Sequence, residues 1–163
     1  MNDGEDAEQL VGTPQGDLSL LCRVQSRLCA LPLEHVVETM RPLPIEALPA
    51  APSFVRGLAI VRGTPIPVVD AARLLGAGEA RPTRFVSVKV AGRRVALAVD
   101  GVIGVQRIPP ESVQELPPLL QEAGADIVSA IARLDADLLL VLRSARLLAE
   151  SWWDGRDPMG SPP

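Results

Sequence analysis

The sequence repeats itself, and this duplication constrains the fold more than any other feature of the 163-residue chain. Residues 30–38 align with residues 96–104 at an offset of 66, and residues 55–75 align with residues 128–148 at an offset of 73. Both copies of the longer block end on Ala-Arg-Leu-Leu. Two copies in the same order, within a chain of single-domain length, predict two tandem half-domains that share a core.

Each copy contains the signals of short β-strands. Apolar residues alternate with mostly polar ones in residues 18–25, where Leu21 is the exception, and again in residues 86–90; this is the period-two pattern of half-buried strands. Four turns are predicted between paired strands, at residues 25–27, 62–64, 91–93 and 135–137. A short helix is predicted from Asp70 to Leu75. The strand residues predicted to be buried are Leu31, Leu33, Leu97 and Val99.

Proline excludes one large class of folds. Twelve of the 16 prolines lie between Pro32 and Pro118, where they would break the long helices of a bundle or coiled coil. The predicted fold class is mainly β: two tandem five-stranded SH3-like β-barrel subdomains with short helices and a C-terminal helix. The predicted parts are a flexible acidic tail at 1–16, subdomain one at about 17–80, subdomain two at about 81–142, the C-terminal helix at 144–153 and a flexible tail at 154–163.

The negative charge of the chain is concentrated at its N-terminus. The net charge is −4, but residues 1–17 hold five acids and no base, which leaves 16 bases and 15 acids elsewhere. A nearly neutral folded part lacks the basic face that a nucleic-acid-binding protein needs. No apolar run is long enough to span a membrane, and no signal peptide is evident. We expect a soluble cytoplasmic protein in which Cys22 and Cys29 are reduced thiols.

The sequence offers little for catalysis. It has a single histidine, four aromatic residues and no HExxH, CxxC, Walker A or GxSxG motif. The carboxylates at predicted strand ends, where capping and turn formation are the usual roles, are Asp70, Asp100, Asp135 and Asp137. A small thiol hydrolase that uses Cys29 and His35 is a remote alternative. We therefore predict no enzyme activity, no catalytic residues, no cofactor and no metal, and we expect a binding module.

Three stretches carry a combined pattern of motifs. Residues 29–38 read Cys-Ala-Leu-Pro-Leu-Glu-His-Val-Val-Glu, and residues 99–105 read Val-Asp-Gly-Val-Ile-Gly-Val. Between them, residues 49–58 begin with Pro and end on Arg-Gly-Leu, and residues 61–70 read Val-Arg-Gly-Thr-Pro-Ile-Pro-Val-Val-Asp. In these motifs and their spacing, the chain from about residue 17 to about residue 150 resembles the CheW-type family of chemotaxis coupling proteins.

The resemblance implies a non-catalytic adaptor built from two intertwined β-barrel subdomains. Its implied partners are the tip helices of methyl-accepting chemoreceptors and the regulatory domain of a CheA-type histidine autokinase. The resemblance places the protein in the cytoplasm, recruited to membrane-associated receptor arrays, without nucleic-acid binding or membrane insertion. An alternative is the same scaffold in a divergent pathway, such as surface motility or gene regulation.

Two surfaces are predicted on such an adaptor. A groove between the barrels would bind an amphipathic receptor helix, and its predicted walls occupy equivalent places in the two copies: Val36, Val37, Val102 and Ile103. The face predicted to meet the kinase comprises Glu38, Arg56, Gly57 and Arg62. The second copy has Gly104 and Asp135 at the places of Glu38 and Arg62. We therefore predict that Glu38 and Arg62 face each other across neighbouring strands and serve a task peculiar to the first copy.

Overall fold

The computed structural model describes residues 17–78, 81–116, 118 and 127–143. Within these residues the strands are β1 (Leu18–Val24), β2 (Arg27–Pro32), β3 (Val36–Met40), β4 (Val55–Val61), β5 (Thr64–Asp70), β6 (Arg84–Val90), β7 (Arg93–Val99), β8 (Gly101–Arg107), β9 (Val113–Glu115), β10 (Val128–Leu134) and β11 (Asp137–Leu142). The α-helix α1 (Ala71–Leu74) follows β5 directly. Two 3₁₀ turns, Leu33–His35 and Pro110–Ser112, precede β3 and β9.

The strands form two sheets. The first sheet has six strands in the order β8-β1-β2-β11-β10-β9, and the second sheet has five in the order β3-β6-β7-β5-β4. Each sheet contains one parallel pair, β2 with β11 in the first and β5 with β7 in the second. The remaining pairs are antiparallel, and four of them are hairpins closed by two-residue turns.

The strand positions reproduce the duplication in the sequence. β6 and β7 begin 66 residues after β1 and β2 (84 − 18 and 93 − 27), whereas β10 and β11 begin 73 residues after β4 and β5 (128 − 55 and 137 − 64). The sheets nevertheless divide the chain differently from the sequence copies. The β1–β2 hairpin of the first copy lies in the sheet with β8 to β11, and the β6–β7 hairpin of the second copy lies between β3 and β5. The two copies therefore exchange hairpins and are intertwined.

Three clusters of buried apolar side chains hold this arrangement together. The largest draws on both sheets, with Leu31 from the first and Leu97 from the second, and therefore fills the space between them. A second cluster lines the opposite face of the second sheet around Phe85, and a third lines the opposite face of the first sheet around Leu139. The burial of so much apolar surface at roughly 25 cal/mol per Å² is the main force that stabilises the fold.

The inner strands are buried on both faces, which corrects the prediction of half-buried strands. In β1, Cys22 belongs to the cluster between the sheets, whereas its neighbour Leu21 belongs to the third cluster. Of the four residues predicted to be buried, Leu31, Leu97 and Val99 are fully buried. Leu33 is half-buried because it lies in a 3₁₀ turn rather than in a strand.

The mainly β fold with two sheets and little helix is confirmed. The expected five strands are present in the second sheet, whereas β9 adds a sixth to the first. In the first copy, the equivalent of β9 is a single bridge between Glu46 and Leu58. The predicted C-terminal helix at 144–153 and the predicted tails at 1–16 and 154–163 lie outside the described residues.

Candidate partner-binding site

Glu38 and Arg62 form a two-point salt bridge. The Nε and Nη2 atoms of Arg62 each donate a hydrogen bond of 2.8 Å to one of the two carboxylate oxygens of Glu38. The predicted pairing is therefore present, but the strands involved are not neighbours in the sheet. β3, which carries Glu38, and β4, which Arg62 follows, are the two edge strands of the second sheet. The salt bridge shows that this sheet curls enough to bring side chains from its two edges into contact.

The salt bridge is exposed on one side. The side chain of Arg62 is 73% exposed and that of Glu38 is 23% exposed. The hydrogen bond from Arg62 lowers the pKa of the Glu38 carboxyl, partial loss of hydration opposes this, and the positive charges of Arg62 and Arg94 add to the lowering. Glu38 in turn raises the pKa of Arg62. Both groups therefore stay charged at neutral pH, and solvent screens the contribution of the pair to folding.

The turn between β4 and β5 determines where Arg62 lies. Arg62 and Gly63 have φ angles of 51° and 81°. Positive φ at both central residues gives a two-residue turn whose twist matches the strands that it joins. The neighbouring turn between β6 and β7 repeats this geometry, with φ of 53° at Ala91 and 82° at Gly92. Because β5 and β7 run in parallel, both turns lie at the same end of the second sheet.

Arg56 and Gly57 lie at the opposite end of β4 from Arg62. The strand spans six residue steps, which is about 20 Å at ~3.3 Å per residue. The four residues predicted to form one kinase-binding face are thus divided: the structure joins Glu38 to Arg62, but it does not bring Arg56 and Gly57 to them. Gly57 is also buried, so its contribution to any surface is indirect.

Asp70 anchors Arg56 at its end of the sheet. The Asp70 carboxylate is fully buried, and its Oδ2 accepts a hydrogen bond of 3.1 Å from Arg56 Nε. Its Oδ1 accepts hydrogen bonds from the backbone amides of Ala72 and Arg73, and therefore caps the N-terminus of α1. The predicted capping role of Asp70 is confirmed. Its ion pair with Arg56 was not predicted, because the two residues are 14 positions apart and only the β4–β5 hairpin joins them.

Gly57 permits two backbones to approach closely. The register of β4 shifts between Val55 and Gly57, which is a β-bulge, and Gly57 has a φ of 143°. A Cβ atom at this position would overlap the carbonyl oxygen of Glu46. That carbonyl accepts a hydrogen bond of 2.8 Å from the amide of Leu58, so the chain that passes over β4 is fixed through this glycine.

The four predicted groove residues form two equivalent pairs. Val36 and Val102 are half-buried and pack against the cluster between the sheets. Val37 and Ile103 are 42% and 53% exposed. Each of these two residues is the extra residue of a β-bulge on an edge strand, β3 in one sheet and β8 in the other. The bulge explains why large apolar side chains at these positions face solvent.

Three basic residues near Arg62 were missed by sequence reasoning. Lys89 lies opposite Arg94 in the β6–β7 hairpin, and Arg93 begins β7. Lys89 and Arg93 are exposed, whereas Arg94 is half-buried and close enough to Glu38 to lower the pKa of that carboxyl. We call Arg62, Lys89, Arg93 and Arg94 the basic end of the second sheet. The sequence feature that could have identified this basic end is the Arg93-Arg94 pair directly after a two-residue turn.

The two cysteines lie in surroundings that do not permit a reactive thiol. Cys22 and Cys29 are opposite each other in the β1–β2 hairpin, and both are 1% exposed. Burial raises the pKa of each thiol to about 12. A nucleophilic cysteine needs the opposite, a lowered pKa and access to substrate. The hydrolase alternative that pairs Cys29 with His35 therefore has no support. None of the helices in the described part of the chain is long and apolar enough to span a membrane.

Comparisons with known proteins agree on one family. The family model described as "CheW-like domain" matches residues 19–151. Protein FrzA of Myxococcus xanthus is 36% identical over 135 residues, which cover 76% of this chain and 84% of that protein. The probable chemotaxis protein CheW of Rhizobium etli is 27% identical over 84% of this chain and 91% of its own length. The crystal structure of the scaffolding protein TtCheW from Thermoanaerobacter tengcongensis superposes with a TM-score of 0.70 at 25% identity, covering 78% of this chain and 89% of that one.

Proposed function

This chain belongs to the CheW-like domain family, whose members are non-catalytic scaffolds, and on that premise we propose that it couples chemoreceptor tips to a CheA-type histidine autokinase. The adaptor holds both partners without transforming either. Its place in the cell is then the cytoplasmic side of membrane-associated receptor arrays. Weak individual contacts suffice for this task, because many adaptors act together in an array and gain strength by multivalency.

The observation that carries the proposal is the exposed pair Val37 and Ile103. Single exposed apolar side chains, such as Leu138, are common on protein surfaces, whereas exposed apolar residues that continue into neighbouring apolar side chains mark interaction sites. The duplication places one of them on the edge strand of each sheet, beside Val36 and Val102, which lead into the core between the sheets. The tip helix of a receptor offers a matching partner, since an amphipathic helix can lay its apolar stripe on such residues.

Arg62 and Glu38 form the core of the second surface, which we assign to the kinase. The guanidinium is held in one orientation by two hydrogen bonds and remains 73% exposed. An ordered arginine loses little side-chain entropy when a partner binds, and arginine is enriched among the residues that dominate interface energies. Arg56 and Gly57 contribute from the other end of β4 by fixing the strand and the chain that crosses it.

A binding experiment with a purified receptor fragment and purified kinase distinguishes the two surfaces. Val37→Lys and Ile103→Lys are each expected to weaken receptor binding by about tenfold or more, because a charge would be buried at the contact, and to leave kinase binding unchanged. Leu138→Lys, at a side chain that is 56% exposed at the start of β11, is the matched control and should change neither. Arg62→Ala is expected to weaken kinase binding alone. Normal binding of both partners by all three test variants would overturn the proposal.

A second candidate is the same adaptor in a divergent chemosensory pathway, such as surface motility or gene regulation. The observation in its favour is that the relative with 36% identity is named FrzA, whereas the relative named as a probable CheW is 27% identical. Deletion of the gene separates the two candidates. Loss of swimming chemotaxis supports the first, and loss of surface motility or altered transcription with normal swimming chemotaxis supports the second.

A further inference from the structure

The acidic N-terminal residues and the basic end of the second sheet carry opposite charges, and the adaptor function proposed above uses neither the tail nor three of the four bases. We propose that residues 1–16 dock on the basic end of the second sheet within the same chain. The docking surface is formed by Arg62, Lys89 and Arg94, with Arg93 at its margin. The inference rests on charge and position, and it holds whichever partners the adaptor binds.

The charges on the two sides are complementary. Residues 1–16 contain four acids and no base: Asp3, Glu5, Asp6 and Glu8. Among the described residues, the basic end has four bases, and the acids beside it are Glu38 in β3 and Glu34 in the preceding 3₁₀ turn, so a net charge of +2 remains (4 − 2). Asp17 and Arg107, which flank the start of β1, carry opposite charges and leave this net charge unchanged. Opposite charges at contact distance near a protein surface attract strongly at low ionic strength and are screened by salt.

The chain path places the start of the tail beside this end. Ser19, at the start of β1, lies opposite Pro32 at the end of β2. The chain then passes through one 3₁₀ turn to Val36, which lies opposite Val88, the neighbour of Lys89. A segment of 16 residues extends up to about 50 Å. The acids of the tail can therefore reach the basic end without any change in the sheets.

The equivalent end of the first sheet is a poorer site for the tail. Asp135 occupies the place of Arg62 in the β10–β11 turn, and Asp137 occupies the place of Thr64. The Asp100 carboxylate also lies there, where it accepts a hydrogen bond of 2.8 Å from the amide of Gln25. Arg23 and Arg27 of the β1–β2 hairpin also lie at this end, but the three carboxylates offset their charges, so it lacks the positive surplus of the basic end.

Docking has a consequence for the exposed salt bridge. A tail bound to the basic end lies over Arg62, the residue that the proposed function assigns to the kinase. The tail then competes with an external partner at that surface, and the competition weakens as ionic strength rises. Only this consequence depends on the proposed function.

A spin label at the tail tests the proposal in the full-length chain. Asn2→Cys provides the single reactive thiol, because Cys22 and Cys29 are buried with raised pKa values. The unmodified chain, treated with the same reagent, verifies this selectivity. At about 0.02 M salt, the amide signals of Gly63, Lys89 and Arg94 are expected to lose more than about half of their intensity, and at about 1 M salt they should recover.

Two variants distinguish docking through opposite charges from mere proximity of the tail to the basic end. The tail variant Asp3→Asn/Glu5→Gln/Asp6→Asn/Glu8→Gln and the surface variant Lys89→Gln/Arg94→Gln should each restore the signals at low salt. Arg84→Gln, at the other end of β6, is the matched control and should leave the broadening unchanged.

Three results would overturn the proposal: no broadening at the basic end, broadening that the charge variants do not relieve, or broadening centred on residues 25–26 and 135–136. Mixing spin-labelled chains with isotope-labelled chains that lack the spin label tests the within-chain arrangement. Broadening of signals from the isotope-labelled chains would show docking between copies and would contradict docking within one chain. These results concern the tail alone, so the receptor- and kinase-binding variants described above test the adaptor function independently.

Discussion

Asp70 and Glu38 each pair with an arginine, and their burial gives the two carboxylates different roles. Asp70 is fully buried, and its oxygens accept hydrogen bonds from Arg56 and from two amides of α1. Removal of one partner from such a pair leaves an uncompensated charge in the protein interior. Glu38 pairs with Arg62, whose side chain is mostly exposed, so water compensates for the loss of either partner.

Replacement of these two carboxylates should therefore separate stability from binding. Asp70→Ala is expected to lower the free energy of unfolding by about 3 kcal/mol, because it removes the buried carboxylate that pairs with Arg56 and caps α1. Glu38→Ala should leave the unfolding midpoint nearly unchanged while kinase binding falls. Urea denaturation of both variants measures the difference. Equal losses of stability would contradict this division of roles.

The buried thiols should make stability depend on alkaline pH. Both pKa values are raised from 9.0 to about 12 in the folded protein, so the folded state holds protons that the unfolded state releases. Their contribution is complete below pH 9 and is lost as pH rises towards 12, with a slope of up to about 1.4 kcal/mol per pH unit for each thiol. The chain has no tyrosine to obscure this effect.

Denaturation at a series of pH values from neutral to alkaline measures this slope. The double variant Cys22→Ala/Cys29→Ala is expected to be less stable at neutral pH, because it leaves cavities, but to show a flatter alkaline slope. An identical slope in both proteins would assign the alkaline loss to other groups.

At the scale of the element, β4 depends on its bulge. Gly57 combines a φ of 143° with a backbone approach that leaves no room for a Cβ atom. Gly57→Ala is expected to cost about 2 kcal/mol or more, since strain and overlap act together. Gly63→Ala is the matched control: its φ of 81° is also unfavourable, but nothing lies within 4 Å of the added atom, so about 1 kcal/mol is expected. Thermal unfolding distinguishes them, and equal shifts would exclude the close approach as the cause.

At the scale of the whole molecule, neither half of the sequence contains a complete sheet. The first sheet needs β1 and β2 from the first copy, and the second sheet needs β6 and β7 from the second copy. A hairpin alone is at best marginally stable in water, and each half would also expose the large cluster between the sheets.

Fragments 1–80 and 81–163 should therefore lack cooperative unfolding when each is isolated, and should recover it when they are refolded together. Circular dichroism during thermal unfolding, with the intact chain as reference, measures this. A cooperative transition in either isolated fragment would contradict the exchange of hairpins.

Patterns among residues close together in the sequence were enough to predict several elements of the fold. Alternation of apolar residues located β1 and β6, and turn residues located all four hairpin turns, because these signals depend on neighbours in the chain. The constant offsets of 66 and 73 predicted where equivalent strands begin, and Asp70 was correctly predicted to cap. The pairing of Glu38 with Arg62 followed from charges present in one copy and absent from the other.

The tertiary structure alone decided which strands share a sheet. A period-two pattern gives the orientation of side chains along a strand but does not identify the strand's partner. The exchange of hairpins, and the contact of Glu38 on β3 with Arg62 after β4, could not be read from it. Burial on both faces of β1 follows from that exchange, because an inserted hairpin faces two clusters at once. The separation of Arg56 from Arg62 and the grouping of Lys89 and Arg94 near Glu38 likewise depend on contacts between residues distant in sequence, whose energies exist only after the sheets have closed.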